Sequence, residues 1–420
     1  MNKTRRIVLL SCVGSSLEYY DFIIYGMMIP YITAVFFVDH QPAVAYLKTF
    51  SILAIGYLAR PLGGYLFGMI ADIYGRKKTF LVIMSVMAAA TLIMGLLPSY
   101  KEAGLWAPLL LILARILQGL SFGAEIPSVS TLIKEHSASK PSGHYFGWII
   151  SSTSVGALLA SLVVFLMGRT FSTEEITQGL WRLPFILGGI LAVVAFILRN
   201  RIDETPDFLQ HQHANNLHHS AKTILGSLLK TQPKSLIRGF CMTFFFSYLI
   251  IFTLYLPVYL KQYFGYATHT VFSRMSMGIL LAGLSAPVFG YLFDHIDRIK
   301  AIKVITPLFL LFLYASLKML EVHASYALEV FLLGYQLFIA AYSTNLLAIL
   351  PTLFPMPVRS TGAGLCYNLA YSVASLIPLG LSAWVHPHNY QGIILGCAAL
   401  VISITFLGTV YTEPKAYPQA

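Results

Sequence analysis

Two carboxylates stand inside the first long apolar segment of the chain, Glu18 and Asp21 in the run Gly14-Ser-Ser-Leu-Glu-Tyr-Tyr-Asp-Phe-Ile-Ile-Tyr-Gly26. A charge at the centre of a bilayer helix costs at least ~2.5–3.5 kcal/mol, so its presence there points to function. Spacings of three and four place Glu18, Asp21 and Tyr25 on one helix face, and Phe22, Ile23 and Ile24 are expected to face lipid. A second set, Arg115, Gln118, Phe122 and Glu125, forms one stripe on another apolar segment. Arg115 and Glu125 are about 15 Å apart along a helix axis and cannot pair with each other. Their expected partners are Glu18, Asp21 and Arg60. Burial raises a carboxyl pKa and a neighbouring arginine lowers it, so a carboxylate balanced between the two can take and release a proton. An arginine fork binds a carboxylate bidentately. Glu18, Asp21 and Glu125 are therefore candidates for proton coupling, and Arg115, Gln118 and Tyr25 for solute contact. Fixed ion pairs that join three helices are the alternative.

These residues need a membrane scaffold. The chain is 57% hydrophobic and 11% charged, with mean hydropathy +0.72, where a soluble domain carries roughly 25% charged residues. Runs of about 20 apolar residues predict an all-α polytopic protein with twelve spans, near 8–33, 47–70, 79–97, 107–130, 144–166, 182–199, 236–259, 271–292, 303–320, 327–350, 361–384 and 391–411. Runs this long exclude a β-barrel. The amino-terminal run is too long for a signal peptide and reads as an uncleaved first span. Cys12, Cys241, Cys366 and Cys397 are scattered in apolar runs and suggest no disulfide, metal or redox role.

The net charge of +11 lies in short loops rather than on one nucleic-acid-binding face. Lys3, Arg5 and Arg6, then Arg76, Lys77 and Lys78, Lys134 and Lys140, the 200–235 loop, and Arg298, Lys300 and Lys303 mark one side as cytoplasmic, with both termini on it. The 200–235 segment divides an amino-terminal half (1–199) from a carboxy-terminal half (236–411), and a short tail (412–420) follows. Its His211, His213, His218 and His219 lack acidic or thiol partners at ligand spacing and read as a solvated linker. The halves repeat weakly. Gly68-Met-Ile-Ala-Asp72 precedes Gly75, Arg76, Lys77 and Lys78, and Gly290-Tyr-Leu-Phe-Asp294 precedes Arg298 and Lys300. Repeated halves around a midplane site are a transporter architecture.

Gly68–Lys78 resembles the loop signature of the major facilitator superfamily. Leu17-Glu18-Tyr19-Tyr20-Asp21-Phe22, Arg60-Pro61-Leu62-Gly63-Gly64, Arg115-Ile-Leu-Gln118-Gly119, Gly123-Ala-Glu125, Trp181-Arg182-Leu-Pro184-Phe185, Glu204-Thr205-Pro206-Asp207-Phe208, Phe354-Pro355-Met-Pro-Val-Arg359 and Tyr367-Asn368 narrow the resemblance. They are similar to the metabolite:proton symporters, which include proline/betaine, citrate, shikimate and 2-oxoglutarate transporters. Ala124 stands where that family usually has Gly, and Ser142-Gly143 where it has Arg-Gly. The resemblance implies two six-helix halves related by pseudo-two-fold symmetry.

A gate is expected from Gly68, Asp72, Gly75, Arg76, Arg60 and Arg359, with Asp72 facing the positive amino-terminal end of the eleventh span; an orientation signal alone is the alternative. The carboxy-terminal half offers Tyr248, Tyr255 and Tyr259, then Gln336, Tyr342 and Asn345, then Tyr367, Asn368 and Tyr371. Tyr255, Asn345, Tyr367 and Asn368 are its solute-contact candidates. Aromatic faces suit a quaternary ammonium; ordinary packing and interfacial belts are the favoured reading of any single tyrosine.

The expected function is proton-driven import of a small polar metabolite, a proline/betaine-like zwitterion or an organic acid, by alternating access across a bacterial inner membrane. A proton-antiporting exporter is disfavoured because 154–161 lacks the Gly-Pro such exporters usually carry. A non-transporting sensor remains the other alternative. No nucleotide loop or reactive enzyme constellation is present. The expected partners are a solute, protons and lipid, with no nucleic acid and no cofactor, and the working unit is a monomer.

Overall fold

The computed structural model describes residues 3–37, 42–136, 143–200, 204, 226, 228–377, 381 and 390–410. Their helices are α1 (Lys3–Met27), α2 (Ile29–Phe36), α3 (Pro42–Tyr74), α4 (Arg76–Leu96), α5 (Tyr100–Ala103), α6 (Trp106–His136), α7 (Gly143–Thr170), α8 (Thr173–Gln178), α9 (Leu183–Arg199), α10 (Pro233–Phe264), α11 (Thr268–Leu292), α12 (Arg298–Glu321), α13 (Ala327–Ile349), α14 (Arg359–Ala374) and α15 (Tyr390–Val410). The fold is the twelve-helix arrangement of two six-helix halves. Ten of the described helices are long and apolar enough to cross a membrane. The histidines of the 200–235 segment and the 412–420 tail lie outside the described residues, as does the end of the predicted eleventh span.

The predicted first span is two helices. α1 stops at Met27 and α2 restarts with Pro30 in its first turn, where a missing N–H costs nothing and the ring fixes a helical φ. α1 is also more enclosed than its pattern suggests. Phe22 and Ile24 are buried rather than turned to lipid, because α1 packs on α7, α9 and α6. Two short helices missing from the sequence reading, α5 and α8, sit on the end away from Arg76. Each has a capping box, Ser99 with Glu102 and Ser172 with Glu175. Backbone hydrogen bonds from those serines hold both carboxyls below their ordinary range.

The halves meet through two equivalent helix pairs, α3 with α14 and α7 with α11. Glycine makes each approach possible. A β-carbon on Gly64 would lie 2.7 Å from the Gly364 carbonyl oxygen, and one on Gly143 would lie 2.3 Å from that of Gly290. Backbones this close need residues without side chains. Inside the amino-terminal half, a β-carbon on Gly119 would lie 2.1 Å from the Gly56 carbonyl oxygen, and one on Gly123 2.3 Å from that of Arg60. These contacts press α6 against α3 and set the depth of Arg60 and Arg115.

Candidate functional site

The central cluster joins α1, α3, α4 and α6. Asp21 is fully buried, and its Oδ2 accepts a short hydrogen bond from the Thr91 hydroxyl on α4. Gln118 Nε2 donates to Thr91 Oγ1 at 3.2 Å and to the Asp21 carbonyl oxygen at 3.4 Å, and Gln118 Oε1 accepts from Arg115 Nη1. Asp21 is thus linked to Arg115 through Thr91 and Gln118. Arg115 lies against the Tyr25 ring, 4.1 Å from guanidinium carbon to ring centre. The Tyr25 hydroxyl donates to the Thr49 carbonyl at 3.4 Å.

Arg60 is placed differently from expectation. Its guanidinium carbon lies 5.3 Å from the Phe22 ring, 5.2 Å from Tyr57, 4.7 Å from Phe122 and 4.6 Å from Tyr371. Phe22 and Phe122 are themselves stacked at 4.1 Å. Arg60 touches none of the gate residues; on α3 it stands about 18 Å along the axis from Asp72. The expected ion pairs with Glu18 and Asp21 are also not formed, since among the described residues no carboxylate lies within 4.0 Å of Arg60 or Arg115. Aromatic faces and Gln118 take that place. Glu125 accepts from Ser15 Oγ at 3.1 Å, which ties α6 to α1. Glu18 is buried, 2% exposed, one turn from Asp21.

The carboxy-terminal candidates divide. Tyr367 and Tyr371 are linked through their hydroxyls at 3.4 Å and border Arg60 from the opposite half. Tyr255 is buried in the aromatic stack of Phe252 and Tyr259. Asn345 does not face this cluster: its Nδ2 donates to the Arg298 carbonyl at 2.7 Å and anchors the start of α12. Asn368 Nδ2 donates across the halves to the Gly123 carbonyl, at 2.5 Å, and to Gly364, at 2.7 Å. Both side-chain amides are occupied by backbone carbonyls, each of which has a second lone pair free to accept beyond its helix bond.

A second cluster lies at the end that carries Arg76, Lys77 and Lys78. Asp72 accepts from the Ser360 amide at 3.2 Å, the Thr361 amide at 2.9 Å and the Thr361 hydroxyl at 2.7 Å, so it caps the amino terminus of α14. Arg76 pairs with Asp72 and with Glu135, both at 3.2 Å, and Arg359 pairs with Glu135 at 3.0 Å. Gly68 lets the helices meet, since a β-carbon there would lie 2.8 Å from the Thr361 α-carbon. Gly75 makes the turn into α4 with φ +102°, a conformation suited to glycine. The second half repeats the device. Asp294 accepts from the Gly143 amide at 2.7 Å at the start of α7, and pairs with Arg298 at 2.7 Å and His144 at 3.6 Å. In each half Gly-x-x-x-Asp supplies close approach and, one turn later, a cap on a helix of the other half.

Sequence reasoning missed Thr91, Glu135 and the capping by Asp294. Thr91 carried no signal among the many small polar residues of the spans. Glu135, beside Lys134, reads as a solvated loop charge, yet it is 2% exposed and bridges two arginines. Asp294 was visible as a repeat, without the helix end it meets.

A Major Facilitator Superfamily model matches residues 11–379. The chain is 32% identical over 361 residues to the alpha-ketoglutarate permease of Escherichia coli (strain K12), covering 86% of this chain and 82% of that protein. It is 31% identical over 434 residues to a putative proline/betaine transporter of Staphylococcus aureus (strain COL), covering 99% and 91%, and 31% identical over 365 residues to the citrate-proton symporter of Klebsiella pneumoniae, covering 86% and 80%. Among solved structures, the proton:xylose symporter XylE bound to 6-bromo-6-deoxy-D-glucose superposes with a TM-score of 0.77 at 15% identity, covering 97% of this chain and 94% of that one.

Proposed function

Because the chain belongs to the major facilitator superfamily, and is therefore a multi-pass membrane transporter, we propose that it is a proton-coupled symporter importing a small polar metabolite by alternating access. The observation that carries the reading is buried Asp21, hydrogen-bonded to Thr91 and linked through Gln118 to Arg115. A carboxyl in so dry a place changes proton occupancy when its neighbours move or a solute arrives. Asp21 is the proposed coupling group, with Glu18 and Glu125 beside it on the proton path. Arg115, Gln118 and Tyr25 hold the solute from one half, and Tyr367 from the other.

The arginine-rich end is the cytoplasmic one in this reading, by its loop charges, and the membrane is the bacterial inner membrane in which such symporters work. The Asp72 and Asp294 caps are the inner gate, closed when the solute enters from outside. Relatives named for alpha-ketoglutarate, citrate and proline/betaine transport favour uptake of a charged or zwitterionic metabolite, with no cofactor beyond the proton gradient.

The test is Asp21→Asn in reconstituted vesicles, with uptake of a labelled panel of carboxylates and zwitterions. Proton-driven accumulation of the transported solute should be lost while solute-for-solute exchange persists, because an amide oxygen still accepts from Thr91 but the group neither takes up nor releases a proton. Retention of gradient-driven accumulation in Asp21→Asn, Glu18→Gln and Glu125→Gln alike would overturn the assignment.

A further inference from the structure

The side chains that lead to Asp21 form a hydrogen-bonded chain with one direction only. A guanidinium has donors and no acceptor, so the Gln118 atom that meets Arg115 Nη1 is the oxygen Oε1. That fixes Gln118 Nε2 as the donor to Thr91 Oγ1, at 3.2 Å. The Thr91 hydroxyl then turns its own hydrogen to Asp21 Oδ2. Oδ2 is therefore held as an acceptor at the end of the chain. The other oxygen, Oδ1, is buried and makes no hydrogen bond.

Oδ1 lies against α9. A β-carbon on Gly188 would stand 3.0 Å from it, 3.2 Å from Thr91 Cγ2 and 3.3 Å from Tyr20 Cε1, so it is a glycine that leaves this side of the carboxyl uncovered. The next residue, Gly189, serves packing instead. A β-carbon there would lie 2.3 Å from Leu92 Cδ2, and its absence lets α9 settle on α4. The charged group that faces Asp21 is Arg115 on α6. α1 itself adds Glu18, Tyr20 and Tyr25, and among the described residues α4, α7 and α9 bring Asp21 no charge.

We propose that Oδ1 is the atom of Asp21 that carries the coupling proton, and that Gly188 is the positioning residue that keeps this oxygen open to it. The inference rests on the reading of Asp21 as the coupling group. An O–H bond forms at Oδ1 with a proton taken from water on one side of the membrane. It breaks when that proton is released to water on the other. Thr91 keeps its hydrogen and Arg115 its charge throughout.

Gly188→Ser and Gly188→Ala add similar volume but act oppositely on Oδ1. The hydroxyl donates to the carboxylate and favours it, while the methyl group keeps water away and favours the neutral acid. A helical serine often bonds back to the carbonyl four residues earlier. Here that carbonyl is Pro184, whose second lone pair is already taken by the Tyr20 hydroxyl at 3.0 Å, so the new hydroxyl is left for Asp21.

Infrared spectra of the purified full chain in lipid, with no solute added, test this. Protonated Asp21 is read as the carbonyl band that Asp21→Asn removes. At the pH where the band has half its full height, Gly188→Ser should lower it roughly threefold or more, and Gly188→Ala should raise it. Thr91→Val crowds nothing and removes the donor to Oδ2, so it should raise the band too. Gly189→Ala should lower the melting temperature and leave the band unchanged. The proposal is overturned if both Gly188 variants move the band the same way, if Gly189→Ala moves it as much, or if Thr91→Val does not raise it. It is also overturned if Asp21→Asn removes no band at any pH where the protein stays folded. Symport fails separately. If the band responds as expected but no member of the solute panel accumulates with protons, the proton site stands and the coupling reading falls. If accumulation needs Asp21 but the band ignores Gly188, coupling stands and the role of Gly188 falls.

Discussion

Replacing Asp72 by Asn tests the gate with little change in shape. In the structure Asp72 receives the Ser360 amide, the Thr361 amide and the Thr361 hydroxyl at 3.2, 2.9 and 2.7 Å, and pairs with Arg76 at 3.2 Å. An amide keeps one of the two acceptor oxygens, replaces the other with an N–H donor that faces donors, and loses the charge. Hydrogen bonds to a charged group contribute about 1.5–3 kcal/mol against about 0.5–1.5 for neutral ones, and an anion at a helix amino terminus adds about 0.3–1 kcal/mol. Spread over these contacts, the closed end should lose about 2–4 kcal/mol, a shift of roughly 30- to 1000-fold in the ratio of closed to open. Ser360 is a built-in reporter, because it is 2% exposed and its Oγ makes no hydrogen bond. In a background lacking Cys12, Cys241, Cys366 and Cys397, Ser360→Cys should react slowly with an impermeant maleimide applied from the arginine-rich side. Adding Asp72→Asn should raise that rate at least tenfold. A rate unchanged within twofold would refute the capping argument.

The other predictions use different contacts. Glu135→Gln releases Arg76 and Arg359 together, so it should open the same end; combined with Asp72→Asn it should be non-additive, because both act through Arg76, as the same labelling assay would read. Asp294→Asn should act in parallel through α7 and expose a cysteine placed at His144. Gly119→Ala forces a methyl group to 2.1 Å from the Gly56 carbonyl oxygen, and overpacking of this kind costs about 1–3 kcal/mol, so the melting temperature should fall several degrees. Asn345→Ala should lower melting by removing the donor to the Arg298 carbonyl while leaving solute affinity unchanged; a selective loss of affinity would return Asn345 to the solute site.

Long apolar runs mark the membrane-crossing helices but not the break at Met27 or the short α5 and α8, and the repeated Gly-x-x-x-Asp was legible because its glycine and aspartate act about one turn apart at the same helix end. Other features depend on what a neighbour presents. The apolar face of α1 was read as lipid-facing, but a helix enclosed by α6, α7 and α9 buries Phe22, which stacks on Phe122 and faces Arg60. Arg60 and Arg115 are expected to meet carboxylates, the usual partners of buried arginine; rings take the direct contacts of Arg60, and a glutamine one turn away stands between Arg115 and Asp21. Asn345 looked like a solute ligand because a buried amide must bond to something, and its partner, a backbone carbonyl 47 residues away, leaves no trace in side-chain pattern. Glu135 was hidden by its position near a basic loop.

The central claim is that solute entry and proton entry are one event. Purified protein reconstituted with an internal pH dye, given the solute that the uptake panel identifies outside and no preset gradient, measures this directly. Internal acidification should follow solute uptake at a fixed ratio and be absent in Asp21→Asn. Solute uptake with no accompanying change in internal pH would contradict it.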